Sequence, residues 1–522
     1  MTQRFYVSTP IYYVNDHPHI GHSYTTIAAD VLARFHRAQG RQVHFLTGTD
    51  EHGIKIVKAA SEQGVSPREL ADEVVVHFQD LWRRLNITHD DFIRTSAPRH
   101  ERRVQELIRR LVARDEIYLG SYEGWYDEGQ EEFVTESAAR DNDYQGAISG
   151  RPLVRYGEPS YFFRLAKWVP RLVEHIQTNP SFIQPDGRRN EVLSKLAMGV
   201  EDLSVSRPLA KLGNWGIPMP NDPSHSVYVW IDALSNYYTA LGCPKVGDEF
   251  DGVRADFWPC DLHLIGKDIL WFHAVYWPCL LMALELPLPR CVFAHGWWTS
   301  EGRKMSKSLG NFISAEAINE ICREYSSDAY RYFLLRAVPF GADGDFSRDM
   351  LQSRYNTELA NGVGNLLSRT VNMIARYFEG KVPPMDGGGA QDAQAAQVHG
   401  AAADLAGSAE ALMAACQFHA YLEKVLELTG ATNRYIDATE PFKLAKDAAQ
   451  RPRLGSILYT CAEAVRLVLL YLGPFMPNSA QQGLAQLGYA PPAAPLAQLG
   501  RWGQLPAGAQ VGQVQPLFPR KI

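Results

Sequence analysis

Apolar residues follow two different periods in the first sixty positions. RFYVSTPIYYV (4–14) is a nearly continuous apolar and β-branched run, the pattern of a buried strand. In HSYTTIAADVLARFHRAQG (22–40), Ile27, Val31 and Phe35 recur every fourth position and so share one face of a helix. QVHFLTGTD (42–50) returns to the strand pattern and GIKIVKAASEQG (53–64) to the helical one. This strand, helix, strand, helix order predicts an α/β fold with a doubly wound parallel sheet, because parallel neighbours need a crossover between them. From about 118 to 225 the texture changes to short aromatic segments, acidic loops such as YDEGQEEF, and Pro/Gly punctuation at GRPL and GIPMP. That reads as a module inserted into the first domain. Strand-like runs return at HSVYVWI (225–231), DLHLIG (261–266) and RCVFAHGWW (290–298), so the sheet is expected to resume near 226. Beyond about 350 the spacing is helical throughout, as in RYNTELANGVGNLLSRTVNMIARYF (354–378) and SILYTCAEAVRLVLLYL (456–472), which predicts an all-α C-terminal domain. KVPPMDGGGAQDAQAAQ (381–397) has the composition of a flexible excursion between two of its helices.

Length and charge narrow the classes. A chain of 522 residues is too long for one compact core and implies two to four domains. It has no apolar run of about 18 residues and no basic-then-apolar leader before Arg4, so a soluble, cytoplasmic protein without a membrane partner is expected. The seven cysteines (243, 260, 279, 291, 322, 416 and 461) include no C-x-x-C pair, which argues against a disulfide framework and against a conventional thiolate zinc site. A formal net charge of −6 gives no general attraction to nucleic acid, so a polyanionic partner must be held by local basic patches.

Candidate chemistry enters at HPHIGH (17–22), the seam between the first strand and the first helix. Gly21 lets a ligand approach the backbone, and the helix start offers unpaired N–H donors with positive dipole character. His19 and His22, three apart, can face one ligand from the first turn and donate to phosphate oxygens. Taken alone, the motif fits a phosphate site and a pair of surface histidines in a turn equally well. In GRKMSKSLGN (302–311), Lys304 and Lys307 sit between flanking glycines that can act as hinges, so the loop can close over phosphates; alone, it also reads as a solvated surface loop. Both motifs in one chain, in this order, favour nucleotide chemistry.

PIYYVNDHPHIGH (10–22) followed by KMSKS (304–308) resembles the paired signature of the class I aminoacyl-tRNA synthetases. TGTDEHG (47–53), YVWIDALSNY (228–237), HLIGKDILWFH (263–273) and the terminal FPRKI are similar to the methionine-specific members, so the likeness runs along nearly the whole chain. His22 and Lys304 stand 282 positions apart, too few for the large editing insertion expected in the isoleucine, valine and leucine relatives.

The resemblance implies a class I Rossmann-type catalytic domain split by a connective insertion and followed by an all-α anticodon-binding domain. The expected boundaries are 1–117 for the first catalytic half, 118–225 for the insertion, 226–290 for the second half, 291–350 for the segment carrying the lysine loop, and 351–522 for the helical domain. It implies activation of L-methionine by ATP to methionyl-adenylate and pyrophosphate, then transfer to the terminal adenosine of tRNA(Met), the initiator form included, with Mg2+ accompanying ATP. His19, Gly21 and His22 would hold phosphates, Lys304 and Lys307 would neutralise charge on the leaving pyrophosphate, and Gly266 and Asp268 would meet the ribose. Asp268 also reads as a buried structural aspartate. Asp50 would meet the substrate ammonium, while Ile11, Tyr13, Trp230, Ala233, Leu234, Tyr237, Ile269 and His273 would line the methionine pocket, a set rich in the aromatic surface that sulfur favours. Leu234 stands where some relatives have proline. Arg207 matches a position near the active-site mouth, or else makes a surface salt bridge. Asn365 and Arg369, four apart on one helix face, and Phe442, where relatives often carry tryptophan, would read the CAU anticodon, with core packing as the alternative for Phe442.

Many relatives carry zinc knuckles in the insertion, built from C-x-x-C pairs. Here the matching stretches, GWYDEGQEEFVTES and GAISGRPLV, place Asp127 and Gln130 where ligands would stand, so no metal is expected. A small-molecule nucleotidyltransferase would not need the helical tail, a non-catalytic paralogue should have lost the signature lysines or histidines, and a cysteinyl synthetase normally needs a zinc thiolate site. The chain ends without an appended dimerisation domain, so a monomer is expected.

Overall fold

A computed structural model describes residues 3–130, 132–242, 255–300, 303–305, 312–385 and 393–521. At its centre is a six-stranded, wholly parallel sheet built from β1 (Arg4–Tyr13), β2 (Gln42–Asp50), β3 (Asp91–Arg94), β4 (Ile183–Gln184), β5 (Leu262–Gly266) and β6 (Val292–His295). Their order in space is β3-β2-β1-β5-β6-β4. The chain leaves β1 toward β2 on one side and returns as β5 on the other, so the crevice between the carboxyl ends of β1 and β5 is the switch point where such sheets bind ligands.

The helices that matter below are α1 (Ile20–Ala38), α2 (Pro98–Ala113), α3 (Val229–Thr239), α4 (Ser327–Arg336), α5 (Asn365–Tyr377), α6 (Phe418–Thr439) and α7 (Arg451–Leu472). HSVYVWI, read from sequence as a strand of the main sheet, divides instead. Asp222–Val227 is a strand of a small antiparallel sheet with Pro218–Met219 and Ser206–Pro208, and α3 begins at Val229. Ten of the eleven residues of α3 are buried, so it has no polar face, and a short helix without one cannot be told from a strand by periodicity.

The segment expected as the insertion carries a four-stranded antiparallel sheet, in the order Glu132–Val134, Ile117–Asp127, Val154–Phe163, Leu203–Ser204, and among its described residues three α-helices, Glu136–Asp141, Leu165–Thr178 and Asp186–Ala197. The chain also dips back to the main sheet there, since β4 pairs with Val292 and Phe293 of β6. In the C-terminal part, residues 386–392 of the expected excursion lie outside the described residues, and Ala393–Ala414 is already helical.

One apolar core runs without a break from the sheet (Val7, Phe45, Leu264) through Tyr330 and Phe333 of α4 to Leu422 of α6 and Ile457 of α7. Polar locks reinforce it. Arg331 of α4, fully buried, pairs with Asp30 of α1 at 2.7 Å and donates to the carbonyls of Leu85 (3.1 Å), Pro474 (3.0 Å) and Phe475 (2.9 Å). Burial alone would raise the Asp30 carboxyl, but the Arg331 and Arg34 guanidiniums hold it below its ordinary value. Inside α7, Glu463 and Arg466 form a two-pronged pair (2.9 and 2.5 Å) that also binds the tail: Glu463 accepts from Gly503 and Leu505, and Arg466 donates to Leu499 and Arg501. Among the described residues one helix, which includes α7, is long and apolar enough to cross a membrane, and it is packed inside the protein.

Candidate active site

His19 is the N-cap of α1, at the carboxyl end of β1. Its Nδ1 accepts from the Gly21 amide at 3.1 Å, and His22 Nδ1 accepts from the His19 amide at 3.2 Å. Each ring thus commits Nδ1 as acceptor to the backbone, which leaves the proton on Nε2 as a donor. The two rings lie 3.8 Å apart, and burial, with His19 close by, pushes His22 well below the ordinary histidine value. The pair is therefore neutral and donor-bearing at a helix N-terminus, a good match for phosphate oxygens. A Cβ on Gly21 would fall 2.9 Å from His19 Cε1, so the turn needs glycine.

Arg303–Lys304 pairs antiparallel with Thr299–Ser300, which fixes where the lysine loop leaves the body; Lys307 lies outside the described residues. The chain returns at Phe312–Ser314 directly onto the histidine turn. Ile20 donates its amide to Ile313 O at 3.0 Å, Ser314 bridges His19, and the Phe312 ring meets the His19 ring edge-on at 5.1 Å. The segment just past the lysine motif thus packs on the histidine turn.

At the carboxyl end of β5, a Cβ on Gly266 would lie 2.5 Å from Asp268 Oδ1, so a side chain there would push the Asp268 carboxylate from its place. Asp268 is exposed rather than buried and accepts from Trp297 Nε1 at 3.1 Å, which corrects the reading of it as a buried structural aspartate. Trp297 was missed at the sequence level because HGWW reads as the end of a strand. It is 43% exposed, with the Lys267 ammonium 4.4 Å from its ring, and Lys267 pairs with Asp343 at 2.7 Å.

Across the crevice, Asp50 ends β2 opposite Tyr13 of β1 and is 3% exposed, with Ile11 paired to Gly48 beside it. The following residues are clamped. Glu51 is fully buried, accepts from Arg94 Nε at 2.6 Å and Thr49 Oγ1 at 2.7 Å, and binds Ser96 Oγ. Ala233, Leu234 and Tyr237 of α3 are buried, and the half-buried Trp230 stacks on Phe272 at 3.6 Å and 8°. Phe272 is a second residue missed from sequence, although it lies inside a quoted motif, three positions from Ile269. His273 Nδ1 faces Ile269 O at 2.9 Å and so carries the proton, while Nε2 accepts from Tyr237 Oη at 2.7 Å. Burial pushes His273 down to about 4, which keeps the ring neutral at physiological pH. Ile11 and Tyr13 of β1, Trp230, Leu234 and Tyr237 of α3, and Ile269 after β5 thus share one apolar cluster.

Arg207 lies inside the protein rather than on its surface. It is 7% exposed, donates to Ser204 Oγ (2.9 Å) and Ser206 O (2.7 Å), and lies over Tyr228 (4.5 Å) and Tyr126 (5.1 Å), fastening the insertion to the start of α3. In the helical domain Arg369 of α5 pairs with Asp437 of α6 at 2.7 Å, and Asn365 is exposed on the same face. Phe442, just past the end of α6, is 47% exposed and so is not core.

A cavity of about 1160 Å3 lies at the amino ends of the strands, away from this crevice, with Arg4, Arg41 and Arg290 on its walls. Those arginines already pair with Asp256, Glu410 and Asp261.

Comparison with known proteins decides the family. The profile described as "tRNA synthetases class I (M)" matches residues 5–143 and 141–371. The methionine–tRNA ligase of Caldanaerobacter subterraneus subsp. tengcongensis is 46% identical over all of this chain and 79% of its own. That of Rickettsia felis is 44% identical over all of this chain and 99% of its own. The chain belongs to the methionyl-tRNA synthetase family. It is a class I aminoacyl-tRNA synthetase and a methionine–tRNA ligase. The Mycobacterium tuberculosis methionyl-tRNA synthetase solved with methionyl-adenylate superposes with a TM-score of 0.92 at 39% identity, covering 99% of this chain and all of that one. The Rossmann-type sheet with its helical C-terminal region is thus the fold of this family.

Proposed function

We propose that the crevice joins L-methionine to ATP and then passes the aminoacyl group to tRNA(Met). The observation that carries this reading is the convergence, at the carboxyl ends of β1, β2 and β5, of two neutral donor histidines on a helix N-terminus with the pocket that has Asp50 at its edge. The methionine carboxylate oxygen attacks the α-phosphorus, the bond to pyrophosphate breaks, and methionyl-adenylate forms. The 2′-hydroxyl of the terminal adenosine then attacks the activated carbonyl, and AMP leaves. No enzyme nucleophile takes part, so positioning and charge stabilisation supply the catalysis.

In this reading His19 and His22 donate from Nε2 to phosphate oxygens. Lys304 and Lys307 meet the charge that grows on pyrophosphate, and Mg2+ enters with ATP as part of that substrate. Gly266 admits the ribose and Asp268 accepts from its hydroxyls, with Trp297 orienting the carboxylate. Asp50 holds the ammonium. Ile11, Tyr13, Trp230, Ala233, Leu234, Tyr237, Ile269 and His273 surround the thioether, and the Tyr237–His273 bond makes that wall rigid. Arg207 keeps the insertion against α3.

We further propose that the insertion holds no zinc. Asp127, 2% exposed, stands where a ligand is expected, and its carboxylate is already filled: it accepts from the amides of Gly129 (2.7 Å) and Gln130 (3.2 Å) and from Ser149 Oγ (2.8 Å). Hydrogen bonds close the loop that thiolates close around zinc in many relatives, and the cysteine and histidine set of a structural zinc site is replaced there by Asp127 and Gln130. A monomer in the cytoplasm completes the reading.

Asn365, Arg369 and Phe442 form the anticodon-reading face. Phe442→Ala is expected to weaken charging of a CAU-anticodon tRNA transcript by about 1–3 kcal/mol of lost stacking, while methionine-dependent ATP–pyrophosphate exchange stays within twofold. Equal damage to both activities would remove Phe442 from the tRNA-reading surface.

A further inference from the structure

Two acidic and basic residues in the recognised motifs have no part in the chemistry above: His52 of TGTDEHG and Asp232 of YVWIDALSNY. Asp232 is 1% exposed, and both its oxygens are taken by imidazoles. Oδ2 lies 2.6 Å from His52 Nδ1, and Oδ1 lies 2.6 Å from His100 Nε2. We infer that Asp232 is a positioning residue for the methionine pocket, tying the loop that carries Asp50 to the helix that carries Trp230, Ala233, Leu234 and Tyr237. The inference rests on the methionine pocket proposed above.

Three elements meet at this carboxylate. His52 comes from the loop two residues past Asp50, His100 from the first turn of α2, and Asp232 from the first turn of α3. His100 Nδ1 lies 2.7 Å from Thr239 Oγ1, the hydroxyl at the far end of α3. An ionised carboxylate only accepts, so the Nε2–H of His100 donates to Asp232. His52 presents its other nitrogen to Glu101 of α2 at 3.9 Å, and its ring meets Trp215 edge-on at 5.2 Å. Glu101 and Arg68 are charged groups close to this cluster, and Arg103 donates to Thr239 O at 2.6 Å. Burial would push the Asp232 carboxyl up, and the two imidazoles hold it below its ordinary value.

An apolar side chain would fill the same volume without direction, because hydrophobic contact has none. Two short charge-assisted bonds from opposite sides fix the rotation of α3 about its axis. That rotation matters to the pocket. Side chains about 5 Å from a helix axis move by ~1 Å for every ~10° of rotation, and a displacement of about 1 Å in a substrate-positioning group costs on the order of 100-fold in rate. Asp50 on one side of the joint and the α3 wall on the other are the two halves that must match the length of methionine between ammonium and thioether.

The test is methionine- and ATP-dependence of pyrophosphate exchange by the full-length chain carrying Asp232→Asn. The amide keeps the shape but cannot accept from both imidazoles. The methionine KM should rise about tenfold or more while the ATP KM stays within twofold. His100→Gln, which keeps a side-chain donor toward Asp232, should hold the methionine KM within threefold. If Asp232→Asn does not accumulate as folded protein, His52→Ala tests the joint from the loop side and should raise the methionine KM alone. A methionine KM within twofold of the unsubstituted enzyme, or a rise matched by the ATP KM, would overturn the inference. Lack of methionine exchange by the unsubstituted chain would instead overturn the pocket itself, and it is measured before any variant.

Discussion

Asp50→Asn is expected to lower kcat/KM for methionine in pyrophosphate exchange by about 30-fold to several thousand-fold, while the ATP KM stays within threefold. The carboxylate is 3% exposed at the carboxyl end of β2, so an ammonium bound there is largely desolvated and its partner matters greatly. Removing one member of such a pair costs about 2–5 kcal/mol, much of it the penalty of leaving the other charge buried alone. Asparagine keeps the volume, so the loss reports charge rather than packing. The backbone around it should hold, because Val14 N still donates to Asp50 O and Glu51 remains clamped by Arg94. An effect below fivefold would mean that the ammonium is held elsewhere.

The second large effect concerns stability. Arg331→Ala is expected to lower resistance to urea by about 3–5 kcal/mol, as removal of one partner of a buried ion pair does. Asp30 keeps Arg34 at 2.7 Å, yet the carbonyls of Leu85, Pro474 and Phe475 all lose their buried donor. These groups belong to the Rossmann region and the C-terminal helices, so the loss should loosen one against the other. Equilibrium unfolding of the variant beside the parent measures it, and a change under about 1 kcal/mol would show that the continuous apolar core alone holds the two regions together.

Much of this architecture was legible in sequence because its signals are local. The alternation of 4–14, 22–40 and 42–50 appears as β1, α1 and β2, and the H-x-G-H seam falls on the cap of α1. What stayed hidden was hidden for physical reasons. α3 is buried on every side, so its apolar pattern carries no helical period. β4 is two residues long and joins its sheet only through β6, a pairing that no local pattern announces. Trp297 and Phe272 look like ordinary core aromatics until the fold sets them against Asp268 and Trp230. The Asp232 joint draws on residues 52, 100 and 232, each unremarkable in its own segment. The motif residues and the contacts among them thus have different origins: spacing reveals the former, and only tertiary packing creates the latter.

The central claim is tested most directly by ATP–pyrophosphate exchange with purified protein, offering each of the twenty amino acids separately, with magnesium, without tRNA and without added zinc. The account predicts exchange with methionine alone. Exchange with a different amino acid, or with none, would contradict it.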